Sequence, residues 1–402
     1  MTEPAFSETF IEVDHYQVSK YNQNAPGDVF YSQKDAQTGR IITALSDGLG
    51  SGIKAGVLAT LTSTMITKFI MNNIHIKKSA EIIMNTLPVS KELGISYATF
   101  TAVEINKDST INIVEYDNPP YILLREDHVY EPEKQIIPFE RENKETGPEI
   151  PTILSYSSFT AKPKDRIVFF SDGVTQAGLG EANTPGGWGR AAAQRFILET
   201  VYNDPDISAR DLSCALIQEA LRYHNFKAKD DASCAVVYFR RPRDLLIITG
   251  PPWQAENDKV FAEIWKNFSG KKIISGGTTA KILERELNLE INYKDNEHNY
   301  DFPAESKMEG ADMVTEGILT LAAVADILED STKADKKNKT ALRMVELFLS
   351  CDRLHFVVGT KINDANYDPS MPVELEIRRN VVRRLARVLE AKYIKEVELR
   401  FF

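Results

Sequence analysis

The 402-residue chain contains little cysteine, little histidine and no excess of positive charge. Its three cysteines, Cys214, Cys234 and Cys351, are far apart and fit neither a disulfide framework nor a metal-binding spacing. The formal net charge of -10 argues against nucleic-acid binding, which requires a basic patch. These absences favour reduced thiols in a reducing compartment and a partner that is a protein or a small molecule.

No segment predicts a secretion signal or a membrane span. Residues Met1–Ser19 include four acidic side chains and no apolar core. The longest helical apolar stretch, Ile53–Asn73, contains Lys54, Lys68 and several threonines, which makes it too polar to span a bilayer. We therefore expect a cytoplasmic protein without a membrane partner.

The pattern of predicted secondary structure changes near Arg240–Arg243. Before this point, strand-like runs such as Ala98–Ile105 and Thr110–Tyr116 occur in pairs joined by polar turns, which predicts antiparallel hairpins. After it, strands and helices alternate, which is typical of a mostly parallel α/β sheet. The length also exceeds what one core normally supports. We expect an α+β domain over residues 1–242 and a smaller α/β domain over residues 243–402.

Acidic residues stand at the ends of predicted strands in four segments of the first half. The segments are Pro26–Tyr31 with Asp28, Ala44–Gly52 with Asp47, Arg166–Gly178 with Asp172, and Lys229–Phe239 with Asp230 and Asp231. Asp28 and Asp47 are equidistant from the turn between their strands, so a hairpin would place them opposite each other. Asp172 ends one strand and Asp230 begins another, so antiparallel pairing would bring these two together as well.

Carboxylates gathered at one sheet edge repel each other unless cations neutralise them. Oxygen ligands suit Mg²⁺ or Mn²⁺, and a pair of such ions activates water and orients a phosphate for attack. Gly48 and Gly173, each directly after an aspartate, allow tight turns and leave a backbone carbonyl accessible as a ligand. A single Asp-Gly pair usually marks a plain turn. Four acidic segments in consistent strand context favour a metal site.

These motifs resemble those of the PPM-type (protein phosphatase 2C-like) serine/threonine phosphatases, in particular the bacterial branch typified by stage II sporulation protein E. The resemblance covers about Ser7–Arg240. It rests on PGD at Pro26–Asp28, SDGLGSG at Ser46–Gly52, SDG at Ser171–Gly173 and KDDAS at Lys229–Ser233. It implies an αββα sandwich, in which two antiparallel sheets are flanked by helices.

The resemblance also implies roles for individual residues around two Mn²⁺ or Mg²⁺ ions. Asp28 and Asp47 would bridge the metals, and Gly48 would contribute its backbone carbonyl. Asp172 and Asp230 would complete the shell of one metal. Asp231 ranks second as a ligand, because it falls where the family often has asparagine or a second aspartate. The catalytic set is then Asp28, Asp47, Asp172 and Asp230.

The function implied is hydrolysis of a phosphoserine or phosphothreonine in a bacterial regulatory protein. One alternative is a non-catalytic scaffold that keeps the same fold. Another is a ligand-binding second domain that controls the phosphatase. A homodimer is also open.

The helix predicted over Ile53–Asn73 begins directly after the loop that carries Asp47. Its apolar stripe is typical of a core helix that covers a sheet, and we also hypothesise that it is a switch whose shift changes metal binding. The two interpretations are compatible. Both interpretations place Leu61 and Met65 in the core.

The second half contains SGGTT at Ser275–Thr279, between a predicted strand and a predicted helix. A glycine turn at a helix N-terminus can hold a phosphate. However, the lysine of a P-loop and the third glycine of the dinucleotide fingerprint are missing. We therefore favour a plain turn capped by threonine. Farther along, the pattern predicts one helix over Met313–Leu328.

Overall fold

The computed structural model of the protein describes residues 9–23, 25–35, 37–50, 52–86, 98–139, 152–293, 306–330, 332, 338–361, 373–393 and 395–402. Contacts divide the chain into two compact units, Met1–Arg241 and Pro242–Phe402.

The first unit contains two antiparallel sheets. Its strands are, in chain order, β1 (Phe10–Val18), β2 (Asp28–Lys34), β3 (Ile41–Gly48), β4 (Ala98–Ile105), β5 (Thr110–Tyr116), β6 (Ile122–Arg125), β7 (His128–Tyr130), β8 (Lys134–Phe139), β9 (Thr152–Thr160), β10 (Arg166–Phe170) and β11 (Ala232–Arg240). One sheet has the strand order β2-β3-β4-β5-β9-β8, and the other has the order β1-β11-β10-β6-β7.

Helices cover the outer faces of both sheets. They are α1 (Ile53–Met71), α2 (Ile76–Thr86), α3 (Asp172–Thr175), α4 (Arg190–Asn203) and α5 (Ala209–Tyr223). The first two pack on the sheet that contains β3, and α4 and α5 pack on the sheet that contains β11. This arrangement confirms the predicted αββα sandwich.

Strand β10 shows why the sequence folds into these layers. Successive side chains of a strand point to opposite faces. Ile167 and Phe169 belong to the core between the two sheets, whereas Val168 and Phe170 belong to the core under α4 and α5. Because both faces are covered, all four side chains are apolar and fully buried.

Helix α1 uses a different face from the one predicted. Its buried side chains are mostly small or polar: Ala55, Ala59, Thr62, Ser63, Ile66, Thr67 and Ile70. Ile53, Val57 and Leu61 are instead 76%, 60% and 45% exposed. The expectation that Leu61 lies in the core is therefore wrong, and Met65 is only partly buried. Small side chains let the helix approach the sheet closely, a requirement that apolar spacing alone does not reveal.

Among the described helices, α1 is also long and apolar enough to qualify as a candidate membrane span, with a mean hydropathy of 1.2. In this fold it covers a sheet instead. Its residues Ile66 and Ile70 pack against Ile42, Ala44 and other side chains of that sheet.

The second unit is built on a mostly parallel sheet, as predicted. Its strands are β12 (Asp244–Thr249), β13 (Lys271–Ser275), β14 (Ile291–Tyr293), β15 (Ser306–Met308), β16 (Met313–Thr315), β17 (Arg353–Val358) and β18 (Glu396–Phe401). They lie in the order β14-β15-β16-β13-β12-β17-β18, with antiparallel pairing only at β14-β15-β16. The helices are α6 (Asp258–Asn267), α7 (Gly277–Leu287), α8 (Ile318–Glu329), α9 (Lys339–Ser350) and α10 (Val373–Tyr393).

The helix predicted over Met313–Leu328 is wrong in its first third. Residues 313–315 form β16, which pairs in parallel with β13. Helix α8 begins only after Gly317, whose φ of 122° is not helical and separates β16 from the helix. The apolar residues Met313 and Val314 are buried because they extend the sheet, and their spacing alone could not separate the strand from the helix that follows.

The two faces of α1 predict different costs of truncation. We expect Ile66→Ala to lower the free energy of unfolding by about 2–5 kcal/mol, because it leaves a cavity under the helix. Leu61→Ala should change it by about 0.5 kcal/mol or less, because Leu61 is 45% exposed. Urea unfolding of the two variants measures the difference. Equal losses would contradict the packing described here.

Candidate metal centre

Asp28 and Asp47 lie directly opposite each other in the antiparallel pair β2-β3. Asp28 is only 1% exposed. Its Oδ2 accepts a hydrogen bond from Ser171 Oγ at 2.7 Å, which links β2 of one sheet to the end of β10 in the other. Its Oδ1 is buried without a hydrogen-bond partner among the described residues.

Asp172 and Asp230 come from the second sheet. Strands β10 and β11 pair antiparallel, with Phe170 opposite Cys234. Asp172 therefore follows the end of β10 close to where Asp230 precedes the start of β11. Asp172 Oδ2 accepts from Gln176 Nε2 at 2.7 Å. Asp172 Oδ1, like Asp28 Oδ1, is buried and has no partner in the part of the chain that the structure describes.

Three of these aspartates open onto a shared cleft of about 420 Å³. The described residues that line it are Asp47, Gly48, Leu49, Gly50, Ala98, Thr99, Asp117, Asn118, Pro119, Asp172, Gln176 and Asp230. The structure thus brings Asp47, Gly48, Asp172 and Asp230 to one surface, with Asp28 paired to Asp47.

Burial and neighbouring charges raise the pKa values of the four clustered aspartates. Burial, followed by the charges of Asp28, Asp172 and Asp230, raises the pKa of Asp47 to about 10. Burial also raises the pKa of Asp28 to about 7. The pKa values of Asp172 and Asp230 lie above the ordinary value, again chiefly because of burial. Without a cation, the cluster must retain protons at neutral pH, so a divalent ion and protons would compete for it.

The donor set fits a hard divalent cation that keeps part of its water shell. Among the described side chains, no three of His, Cys, Asp or Glu enclose an ion by themselves. The two buried acceptor oxygens on Asp28 and Asp172 nevertheless have no donor among the residues that the structure describes. A buried acceptor without a partner costs about 1–3 kcal/mol, and a cation would remove that cost. Mg²⁺ and Mn²⁺ bind such oxygens and commonly retain several waters.

Asp231 has a different environment. It is 3% exposed, and its two carboxylate oxygens accept from the backbone N–H groups of Lys20 at 2.9 Å and Gly27 at 2.8 Å. It is not among the described residues that line the cleft. These bonds tie the segment before β2 to the start of β11. Its place as a second-ranked metal ligand stays a prediction.

The glycines after Asp47 and Asp172 are required by close packing. A Cβ on Gly48 would lie 2.1 Å from the carbonyl oxygen of Ala55 in α1, and one on Gly173 would lie 2.0 Å from the carbonyl oxygen of Asp231. The first contact places the backbone of α1 directly against the loop that follows β3.

Two residues of the cleft and one buried histidine were not assigned a role from the sequence. Asp117 adopts a φ of 55°, and burial raises its pKa. Asn118 accepts from Thr99 Oγ1 at 2.5 Å and donates to Thr101 Oγ1 at 3.1 Å. The Asp-Asn-Pro-Pro turn was the available signal for this pair. His224 Nε2 lies 3.1 Å from the Gly173 carbonyl oxygen, a contact that no local pattern indicates.

The raised pKa of Asp47 predicts how the stability of the metal-free protein depends on pH. Asp47 has a pKa of about 10 in the fold and an ordinary value of 3.8. The folded state therefore binds the proton more tightly, and the free energy of unfolding should fall as pH rises between these values. Asp47→Asn should flatten this dependence and raise the melting temperature at pH 8 in the presence of a chelator.

Manganese should reverse the order of stability of the wild type and Asp47→Asn. At a free Mn²⁺ concentration 100 times the dissociation constant, binding should stabilise the wild type by about 2.7 kcal/mol. Asp47→Asn should lose most of that gain. Melting curves from pH 5 to pH 9, with chelator or with Mn²⁺, test both statements. A variant that melts below the wild type at pH 8 without metal and keeps the full manganese response would contradict them.

The neighbouring aspartates 230 and 231 form a matched pair. Asp230→Asn should weaken Mn²⁺ binding by roughly tenfold or more, because it removes a charged oxygen from the cleft. Asp231→Asn should lower the free energy of unfolding by about 1–3 kcal/mol, because an amide cannot accept from both backbone groups. Its Mn²⁺ affinity should change much less. Calorimetric titration measures the Mn²⁺ affinity of each variant, and urea unfolding measures its stability. A larger loss of Mn²⁺ affinity in Asp231→Asn than in Asp230→Asn would make Asp231 the ligand.

Comparison with known proteins bears on this site. The sequence profile of the family described as stage II sporulation protein E matches residues 37–240, half of the chain. The match includes Asp47, Asp172 and Asp230. No curated protein matches the chain in sequence.

Solved structures also match part of the chain, at low sequence identity. One is the PP2C phosphatase domain with a fragment of the regulatory domain of SpoIIE from Bacillus subtilis, with 19% identity over 58% of this chain and 64% of that chain and a TM-score of 0.47. The RsbU and RsbW domains of a Mycobacterium tuberculosis protein match with 17% identity over 64% and 67% of the two chains and a TM-score of 0.44. The catalytic domain of the phosphatase PstP in complex with two manganese ions matches with 16% identity over 58% and 99% and a TM-score of 0.38.

The family profile spans the strands that carry Asp47, Asp172 and Asp230, and the fold is the αββα sandwich described above. The chain belongs to the stage II sporulation protein E family of PP2C-type phosphatases.

Proposed function

We propose that the first unit is a metal-dependent protein phosphatase that hydrolyses phosphoserine or phosphothreonine in a bacterial regulatory protein. The observation that carries this proposal is the cluster of Asp28, Asp47, Asp172 and Asp230, in which burial, followed by mutual repulsion, raises the pKa of Asp47 to about 10. Without cations, such a cleft would repel a phosphate dianion. With cations, it would attract one.

In this proposal the four aspartates and the Gly48 carbonyl hold two Mn²⁺ or Mg²⁺ ions. When bound, such ions polarise a phosphoryl oxygen and lower the pKa of water so that it becomes a nucleophile at neutral pH. Asp231 is in this proposal a positioning residue, since both of its oxygens already accept backbone hydrogen bonds.

The protein prepares the ligands through hydrogen bonds around them. Ser171 fixes one oxygen of Asp28, and Gln176 fixes one oxygen of Asp172. In both carboxylates the second oxygen remains buried and without a partner among the described residues. Each acid is thus held in one orientation with one oxygen left for a metal, which is the arrangement that outer hydrogen bonds give to metal ligands.

The cleft limits what can enter it. A volume of about 420 Å³ admits a phosphorylated side chain but not a folded surface. The residues that flank the phosphoserine or phosphothreonine would therefore lie on the rim, where Leu49, Gly50 and Pro119 are found. Thr99 and Asn118, which hydrogen-bond to each other at 2.5 Å, form a fixed polar wall beside Asp117.

The switching role predicted for α1 gains a physical basis. Because the Ala55 carbonyl touches Gly48, a shift of α1 would displace the loop that carries one proposed metal ligand. The second unit is, in the same proposal, a regulatory α/β domain. A cytoplasmic location and a homodimer stay predictions.

A scaffold that keeps the fold without catalysis is the competing function. It gains nothing from a partly buried cluster of four carboxylates, which destabilises the metal-free protein at neutral pH.

Phosphatase activity of the full chain tests the proposal. With Mn²⁺, the wild type should hydrolyse 4-nitrophenyl phosphate and a phosphopeptide, and Asp47→Asn should lose on the order of 10²–10³-fold in rate, as when a group that stabilises transition-state charge is removed. Chelation should abolish activity, and added Mn²⁺ should restore it.

Asp127→Asn is the matched control, because Asp127 is an exposed carboxylate in the turn between β6 and β7. It should leave the rate unchanged. Equal rates for the wild type and Asp47→Asn, or no metal-dependent activity from the wild type, would remove the enzymatic function and favour the scaffold.

A further inference from the structure

The parallel strands of the second unit end at one edge of its sheet. Chain order reverses between β12 and β17, the place where open α/β sheets usually bind ligands. Here the protein's own backbone fills that place. Gly359 N–H donates to the Thr249 carbonyl at 2.8 Å, and Lys361 N–H donates to the Pro251 carbonyl at 3.0 Å. Arg378 Nη1 also donates to the Gly359 carbonyl at 3.2 Å.

The next strand pair along the same edge, β13 and β16, has an open arrangement. Each strand enters a helix through a glycine with positive φ, 127° at Gly276 before α7 and 122° at Gly317 before α8. Gly276 N–H donates to the Thr315 carbonyl at 2.8 Å, and a Cβ on Gly317 would lie 3.2 Å from Gly276 Cα. The N-termini of α7 and α8 therefore lie side by side.

Neither helix has a side-chain cap among the described residues. The first backbone N–H groups of a helix have no acceptor within the helix, and they carry the positive end of its dipole. Two such ends in contact repel each other, and an anion would stabilise both. Gly277, Thr278 and Leu319 of the first turns are exposed, with Leu319 71% exposed, so solvent can reach the edge.

A second and independent observation comes from two buried hydroxyls. Thr279 and Thr320 hold the same position, three residues after Gly276 and Gly317, and are 0% and 1% exposed. The Oγ1 atom of each has no hydrogen-bond partner within the described residues. Thr279 Oγ1 lies 3.3 Å from the place that a Cβ on Gly276 would take, so it faces the N-terminal turn. Buried hydroxyls without partners are destabilising, and two in equivalent places indicate a missing acceptor.

We propose that the paired turns Gly276–Thr279 and Gly317–Thr320 bind a phosphate group, carried by inorganic phosphate or by a phosphomonoester such as a nucleotide. The N-terminal turns of two helices lie side by side, and donors from both suit the several acceptor oxygens of a phosphate better than the two of a carboxylate. The glycines keep side chains out of the space that the backbone donors face. The sequence pattern favoured a plain turn at Ser275–Thr279, because the lysine of a P-loop and the third glycine of the dinucleotide fingerprint are missing. The second turn lies within the segment predicted as one helix over Met313–Leu328, so no sequence pattern indicated that the two turns are paired.

Binding is measured on the full chain carrying Asp47→Asn, in the presence of a chelator, so that the first unit contributes no metal-dependent phosphate binding. Calorimetric titration with inorganic phosphate, AMP and acetate, and melting curves with each, give the result. We expect saturable binding and a raised melting temperature with phosphate or AMP, and neither with acetate. AMP binding roughly tenfold tighter than phosphate would identify a nucleotide as the source. Comparable affinities would identify the phosphate group alone. Binding of neither would overturn the proposal.

Leu319→Asp and Leu319→Asn are the decisive pair, because Leu319 is exposed in the first turn of α8 and both variants should fold. The aspartate supplies a carboxylate at the helix N-terminus. It should raise the melting temperature without ligand and weaken phosphate binding by roughly tenfold or more. The asparagine variant should bind like the parent. Equal phosphate binding by the two variants would contradict the site.

Thr279→Val tests the hydroxyl directly. It should weaken phosphate binding by roughly tenfold, the size of one lost hydrogen bond to a charged group, while the melting temperature without ligand stays equal or rises. Unchanged phosphate binding by Thr279→Val would exclude the hydroxyl as a donor and overturn the arrangement proposed.

Discussion

Repulsion among buried carboxylates is the constraint on which the first unit depends. Two hairpin-like strand pairs, one from each sheet, bring Asp28 and Asp47 together with Asp172 and Asp230. The Ser171–Asp28 hydrogen bond joins the two sheets at this point. The three apolar layers of the sandwich hold the strand ends in place, so the charges cannot separate to relieve their repulsion. Packing of the apolar core therefore holds the carboxylates close together, and their repulsion is relieved by protonation or by a bound cation.

Helix α1 connects this site to the surface of the protein. Its buried face consists largely of alanine, serine and threonine, which lets its backbone reach Gly48. Its exposed face carries Ile53, Val57 and Leu61. The position of α1 and the geometry of the loop that follows β3 therefore depend on each other, because a larger residue at position 48 would push the helix away.

The second unit presents positive rather than negative electrostatic potential at its sheet edge. The first unit gathers negative side chains, whose charge a cation would neutralise. The edge of the second sheet gathers the positive ends of two helices, with glycine turns and neutral hydroxyls in place of lysine or arginine. Dipoles and hydroxyls of this kind attract an anion without adding formal charge, so the net charge of -10 gives no indication of such a site.

The sequence by itself determined the features that depend on local geometry. The hairpin of β4 and β5, the hairpin that sets Asp28 opposite Asp47, and the alternation of strands and helices after Arg243 follow from residues close in the chain. Family motifs supplied the αββα sandwich. Only the tertiary structure decided which face of α1 is buried, because a helical pattern shows that a face exists but not the shape of the surface against it.

Tertiary structure also decided what lies beside each site residue. Asp231 accepts hydrogen bonds from Lys20 and Gly27, about two hundred positions earlier in the chain. The turns at Gly276 and Gly317 touch across 40 residues because β13 and β16 are neighbours in the sheet. No local pattern encodes such contacts. They arise when separate segments are brought together by burial of the cores.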